Sequence, residues 1–390
     1  MRRLLLFGMA LAFMETVLFT ALAPLVPDLA EELDLSASQV GVLSAAYPAG
    51  MVTAAVPVGY AASRFGPRAT ATAGLWALAA GSLGFAFCGS PIALDLARFL
   101  QGAGSAAAWG GALTWIVGAV PAADRGAATG KMISVSFVGI LLGPAIGAVA
   151  ASAGRQDTFS AVGFGLVLVA LWRGPHGMSA PRAERERASL RPFRQPALLI
   201  CLCTLLTLGV LAGTMTALGP LLLAERGLGA GAIALCFIFA AAPSVLLTAV
   251  LGRRLSQSGL VGFCTTMLFV AGPVLPLTTV PDGRLLAATL FAVAVGLEFI
   301  NFNPLMLMMS MVAERLDASQ GLAMSLANGA WGLGAAAGGL CLSKLADVTS
   351  IATALSAAGA IAFITATTVA LSARSGILLS EAPPTRQPAS

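Results

Sequence analysis

Apolar residues in this chain come in runs long enough to cross a bilayer, and there are twelve of them. Bounded by charged residues or by Pro and Gly, the runs fall near residues 4–27, 39–62, 69–88, 93–118, 128–152, 158–172, 197–223, 231–251, 260–280, 286–312, 321–343 and 352–372. A helix needs about 20 such residues to span the hydrocarbon core. Twelve spans take up most of the 390 residues, leaving short loops and ends and no room for a sizeable soluble domain. Charge makes the same point. Only 10% of the residues are Asp, Glu, Lys or Arg, against 58% hydrophobic, and the mean hydropathy is +0.90. An ordinary soluble domain carries roughly 25% charge, and a globule this poor in charge would expose apolar patches that aggregate.

Basic residues orient the spans. With the N-terminus in the cytoplasm, seventeen of the 22 Lys and Arg fall on the cytoplasmic side, and only Arg155, Arg226, Arg284 and Lys344 fall on the other. Arg98 remains inside a span. The positive-inside rule therefore predicts both termini in the cytoplasm. Twenty Arg against two Lys, with abundant Ala and Gly, suggest a GC-rich bacterial source, so the expected location of such a multi-pass chain is the bacterial inner membrane. The opening MRRLLLFGMALAF resembles a signal peptide, but Glu15 interrupts it and its length is that of a span. The six Cys lie in apolar runs and read as inert buried thiols. One His, no Cys-x-x-Cys pair and no Walker-type glycine loop argue against a zinc module or a built-in ATPase, so no cofactor or metal is expected. The basic residues are spread over loops as topology demands, which gives no nucleic-acid surface.

The chain also repeats itself. TALAPL at 20–25 returns as TALGPL at 216–221, and Pro48 is matched by Pro243. Gly126, Gly139 and Gly143 correspond to Gly321, Gly334 and Gly338, each 195 residues later. Between the copies lies a charged, Pro-rich segment. The expected organisation is a six-helix bundle at 1–172, a cytoplasmic linker at 173–196, a second six-helix bundle at 197–374 and a cytoplasmic tail at 375–390. Six spans is an even number, so both halves insert with the same topology.

Three motifs carry a resemblance to the major facilitator superfamily, and within it to the twelve-helix drug:proton antiporter branch. GYAASRFGPR at 59–68 resembles the loop signature between spans two and three, with Gly59, Arg64, Gly66 and Arg68 in place and Ser63 where the family has Asp. The family acid latches the cytoplasmic side of the halves, so the resemblance implies a latch weakened or built differently here. RFLQGAGSAAAWG, from Arg98 to Gly110 in span four, resembles the family's Arg-x-x-Gln-Gly pattern. Arg98 either snorkels beside Asp95 or faces the central cavity. GILLGPAIGA at 139–148 resembles the signature of the exporting branch, with Ala148 in place of its last Gly. Physically, Gly139, Gly143 and Gly147 form a stripe that admits a close neighbour, and Pro144 removes a helix hydrogen bond.

The resemblance implies an all-α membrane protein of two pseudo-symmetric bundles, with spans one, four, seven and ten lining a central cavity. Glu15 in span one and Glu298 in span ten lie near the bilayer midplane, where an acid must meet water, find a partner or carry a proton. These two and Arg98 are the expected proton-coupling residues. Gln101, Asn301, Asn303, Asn328 and Trp331 join them as candidate substrate contacts, and Pro304 is a candidate helix break. Met306, Met308, Met309 and Met311 raise copper as a lesser cargo. The expected function is proton-coupled export of a small amphipathic or apolar organic compound, by a monomer with protons and lipid as partners. Import of a nutrient or vitamin-like metabolite on the same fold, and a non-transporting membrane receptor, stand as alternatives. No nucleophile-base-orienter set suggests an enzyme.

Overall fold

The computed structural model describes residues 2–121, 124–172, 191–254, 257–280 and 282–378, with backbone alone at 126, 245–254 and 257. Positions 173–190 of the expected linker, 379–390 of the tail and their five arginines lie outside the described residues, as do the surroundings of Gly126.

The chain is helical throughout its described length: α1 (Arg2–Thr20), α2 (Val26–Glu32), α3 (Ala37–Phe65), α4 (Pro67–Phe87), α5 (Pro91–Ala119), α6 (Arg125–Ala153) and α7 (Arg155–Trp172) make the first half. The second half holds α8 (Pro196–Glu225), α9 (Ala230–Arg254), α10 (Gln257–Leu277), α11 (Arg284–Arg315), α12 (Gln320–Ala337), α13 (Ser343–Val348) and α14 (Ile351–Arg374). Two spans are composite. α1 runs through a 3₁₀ turn at Ala23–Leu25 into α2, and α12 runs through a π-helical turn at Gly338–Leu342 into α13. Twelve rods result among the described residues, in two six-helix bundles.

Among the described residues, eight helices are long and apolar enough to cross a membrane by themselves. The other four fall short for reasons visible in the sequence. α5 carries Asp95, Arg98 and Gln101, α7 has 18 residues and opens on Arg-Gln-Asp, α12 has 18 residues with Gln320, Ser325 and Asn328 among them, and the side chains of α9 are described only as far as Ser244. Packing brings these into the membrane: α5 lies against α3 and α4, α7 against α4, α9 against α11 and α12 against α8.

The sequence repeat is realised as repeated contacts. α1 packs on α6 as α8 packs on α12, and α3 on α5 as α9 on α11. Gly139 and Gly143 let α6 approach the backbone of α1 at Phe13 and Val17, and Gly334 and Gly338 let α12 approach α8 at Leu206 and Val210. The approach is close enough that a Cβ at Gly213 would stand 1.9 Å from the Ala335 carbonyl oxygen. Gly213→Val should therefore separate α8 from α12 and abolish the monodisperse peak in size-exclusion chromatography. Gly321→Val, which meets open space, should leave that peak in place.

One copy of the repeat breaks and the other does not. Pro24 and Pro27 together deny N–H donors to the carbonyls four residues earlier, and α1 ends at Thr20. Pro220, the counterpart of Pro24, stands alone, and α8 continues straight through it.

The halves meet unevenly. α3 touches α12, the π turn and α13, and α6 touches α9. At the face opposite the N-terminus, here the far face, Gly41 lies against Gly339 and Ser343. Toward the face that carries the termini, the end of α3 spreads away: Val56 is 82% exposed and Tyr60 58%. The cleft between the bundles is closed at the far face and open at the terminal face.

Candidate functional site

Glu15 sits thirteen residues into α1, about 20 Å along the helix from Arg2 by helical rise. It is half-buried, and its carboxylate is held from two sides. The Ser105 hydroxyl of α5 donates to Oε1 at 2.6 Å and the Thr16 hydroxyl to Oε2 at 3.1 Å. Above it, the Tyr47 hydroxyl donates to the Glu15 backbone carbonyl at 3.2 Å. No ion pair to Glu15 occurs among the described residues.

Arg98 does not face the cleft. It is 2% exposed, and its Nη1 donates to the Leu18 carbonyl at 2.9 Å and to Gln101 Oε1 at 2.8 Å. The Leu18 carbonyl belongs to the last turn of α1, where the proline break leaves acceptors free, so the guanidinium caps a helix C-terminus. Its charge lies 4.6 Å from the centre of the Tyr47 ring, a cation–π geometry. Gln101 is fully buried and passes the chain on to the Ser82 hydroxyl of α4 at 3.2 Å. Arg98 thus ties α1, α3, α4 and α5 together. Neither sequence expectation describes this: Asp95 is not its partner among the described residues, and the guanidinium is packed beneath the buried Tyr47 ring. Gln101, expected at the substrate, is likewise withdrawn.

Glu298 lies midway along α11, half-buried and with no hydrogen bond or ion pair among the described residues. Its face of the helix is fixed by its neighbours in register. Phe291, two turns before it, packs edge-on against Phe237 of α9 and over Gly219 of α8. Phe302, one turn after it, meets Trp331 of α12 with centroids 5.7 Å apart. Trp331 in turn meets Phe19 of α1 at 5.6 Å, and Phe19 meets Tyr47 at 5.4 Å. Phe19 follows Glu15 by one turn as Phe302 follows Glu298. Two acids from opposite bundles therefore flank an aromatic bridge that crosses the cleft.

The other expected contacts divide. Asn303 is half-buried just beyond Phe302, while Asn301 is fully buried and donates to the Cys264 carbonyl of α10 at 3.3 Å, away from the cleft. Asn328 is exposed and bonded to the Met324 carbonyl of its own helix at 2.9 Å. Pro304 lies inside an unbroken α11. Met308 and Met309 are fully buried among Leu305, Val312 and Cys264, so packing accounts for them, while Met306 and Met311 are half-buried. Among the described residues no group of three His, Cys, Asp or Glu is placed to hold a metal.

The motif residues are also located. Ser63 is exposed and donates to the Tyr60 carbonyl of its own helix at 2.8 Å, and Gly66 takes a φ of 92° at the turn into α4. Arg64 lies over Phe65 and Arg68 over Trp115. Gly147 completes the stripe on α6, its Cα facing the Ala21 carbonyl, and Pro144 lies inside that helix. Sequence reasoning missed Ser105, Tyr47, Phe19 and Phe302. Ser105 follows Gln101 by one turn in the quoted motif, and each Phe follows its Glu by four residues, so the helical register held the signal.

The sequence profile of the Major Facilitator Superfamily matches residues 5–339. The chain belongs to the Major Facilitator Superfamily. Solved members share its architecture. A bacterial homologue of the human lysosomal transporter Spinster, in an inward-facing and occupied conformation, overlays with a TM-score of 0.78 at 14% identity, covering 95% of this chain and 96% of that one. The nucleoside transporter NupG overlays with a TM-score of 0.75 at 14% identity, covering 94% and 99%. Curated relatives match more locally. The MFS-type transporter ppzB of Metarhizium rileyi is 29% identical over 41% of this chain and 34% of its own length. The probable sulfoacetate transporter SauU of Cupriavidus necator is 30% identical over 39% of this chain and 35% of its own. The chain thus covers about a third of the curated relatives' lengths. Membership makes this a multi-pass membrane protein of a transporter family, and not an enzyme.

Proposed function

We propose that this superfamily member carries a small amphipathic organic compound, one bearing a positive charge, out of a bacterial cell in exchange for protons. The observation that carries the reading is the pair of acids, Glu15 and Glu298, on either side of the bridge made by Phe19, Trp331 and Phe302. Aromatic faces attract cations, Trp most strongly, and an unpaired carboxylate completes such a site. The name of SauU refers to an anion, but here the intramembrane Arg98 is buried and turned to Leu18, Gln101 and Tyr47. A ligand entering the cleft meets acids and rings.

Transport would proceed by alternating access, the two bundles rocking about this layer. The excess of basic residues on the terminal face supports placing that face in the cytoplasm. The cleft would then be open inward, the conformation in which the Spinster homologue was solved. The resemblance of residues 139–148 to the signature of the exporting branch supports export. A one-for-one exchange of a proton for a monovalent cation moves no net charge, so the membrane potential does no net work on it and the pH gradient drives it, about 1.4 kcal/mol or tenfold in substrate per pH unit.

Trp331 offers a direct test. In proteoliposomes, Trp331→Ala should raise the apparent KM for a planar cation such as ethidium at least tenfold, and Trp331→Phe should restore most of it. An unchanged KM in Trp331→Ala would remove the bridge from the substrate site.

A further inference from the structure

We propose that Asp347 of α13 and the amino end of α3 form a charge-to-helix latch that holds the far face shut and sets how often the protein opens on that side. The two partners come from different bundles. The Ser38 backbone N–H donates to Asp347 Oδ2 at 3.0 Å, and the Ser38 hydroxyl donates to the same oxygen. The Ser36 hydroxyl and the Ala37 N–H add to this contact. A carboxylate at a helix N-terminus satisfies orphan donors and meets the positive end of the helix dipole. Slight burial pushes this carboxyl up, but the donors outweigh it and hold it below the usual value. The latch is therefore a standing charge at physiological pH and not a proton switch. Lys344 lies one turn back on the same rod, and Glu31, Glu225 and Arg226 line a groove of about 750 Å³ alongside Asp347.

The seam behind the latch shows why an attractive contact is needed there. A Cβ at Gly41 would stand 2.3 Å from the Gly339 carbonyl, and the π turn at Gly338–Leu342 delivers Ser343, fully buried, to the same spot. Closing this seam leaves the Ser44 and Ser343 hydroxyls buried without partners among the described residues, which disfavours closure. At the opposite end Ser63 bonds its own helix and holds no counterpart contact across the cleft among the described residues. A far-face latch without a terminal-face one biases the two-state equilibrium toward the arrangement seen. None of this depends on the substrate or the proton-coupling residues.

The test uses the full chain in nanodiscs, with Ser343→Cys in a Cys341→Ala background as reporter of far-face opening. Labelling of position 343 by a water-soluble maleimide, read by peptide mass spectrometry, should be at least tenfold faster when Asp347→Asn is added. Ser38→Ala should give a smaller rise in the same direction. Leu75→Cys, in the buried core of the first bundle, should label no faster in either variant. Folded Asp347→Asn protein whose position 343 labels within twofold of the parent rate would overturn the latch. Equal acceleration at positions 343 and 75 would overturn it too, because it would show general loosening in place of opening at one face.

Discussion

Glu15→Gln is expected to abolish pH-driven uptake of a cationic probe into inside-out vesicles while leaving probe-for-probe exchange measurable. Gln keeps the shape and the acceptor oxygen for Ser105, whose hydroxyl lies 2.6 Å from Oε1, so the bundle should assemble normally. What is lost is the ability to bind and release a proton. In exchange between two substrate molecules no proton need move, and the step survives. Loss of both activities in a folded variant would mean that Glu15 holds substrate without coupling it to protons. Retention of pH-driven uptake would move coupling to Glu298, the other unpaired acid in the cleft.

Arg98→Ala should act on stability before it acts on transport. The guanidinium supplies donors to the Leu18 carbonyl and to Gln101 Oε1 at 2% exposure. Removing it strands both acceptors in a buried place, at roughly 1–3 kcal/mol each, and empties the volume beneath Tyr47. A loss of several kcal/mol is a large share of a protein's stability. The variant should melt well below the parent in a thermal-shift assay and express poorly. Arg98→Lys keeps the charge but not the planar fork that reaches two acceptors while facing a ring, and should fall between. If Arg98→Ala melts with the parent and yet fails to transport, the residue acts on substrate or proton directly, and its burial has been given the wrong role.

Much of the architecture is legible in the residues. Apolar runs mark the spans, and the 195-residue offset of the glycines marks a duplication that the contacts of α6 with α1 and of α12 with α8 realise in space. The break after Thr20 was written in the spacing of Pro24 and Pro27, though it is the absence of a second proline beside Pro220 that makes the halves differ. The depth of Glu15, Glu298 and Arg98 follows from counting residues. Their direction does not. Whether a helix turns Arg98 to the cleft or to its own bundle depends on which neighbours cover each face, and here a helix end and Tyr47 from distant segments claim it. The far-face closure is invisible for a similar reason, since Ser38 and Asp347 lie 309 residues apart and nothing in either local sequence points to the other. Motif matching found Ser63 as a missing acid without indicating where another inter-bundle contact would form.

The central claim is that the carboxyl held by Ser105 and Thr16 exchanges its proton for a cation bound at the aromatic bridge. Proton release from the purified protein on addition of ethidium, followed with a pH indicator in weakly buffered detergent solution, tests it most directly. A saturable release is expected in the parent protein, disappearing in Glu15→Gln even though ethidium still binds. Binding without any release in the parent, or an equal release from Glu15→Gln, would contradict it.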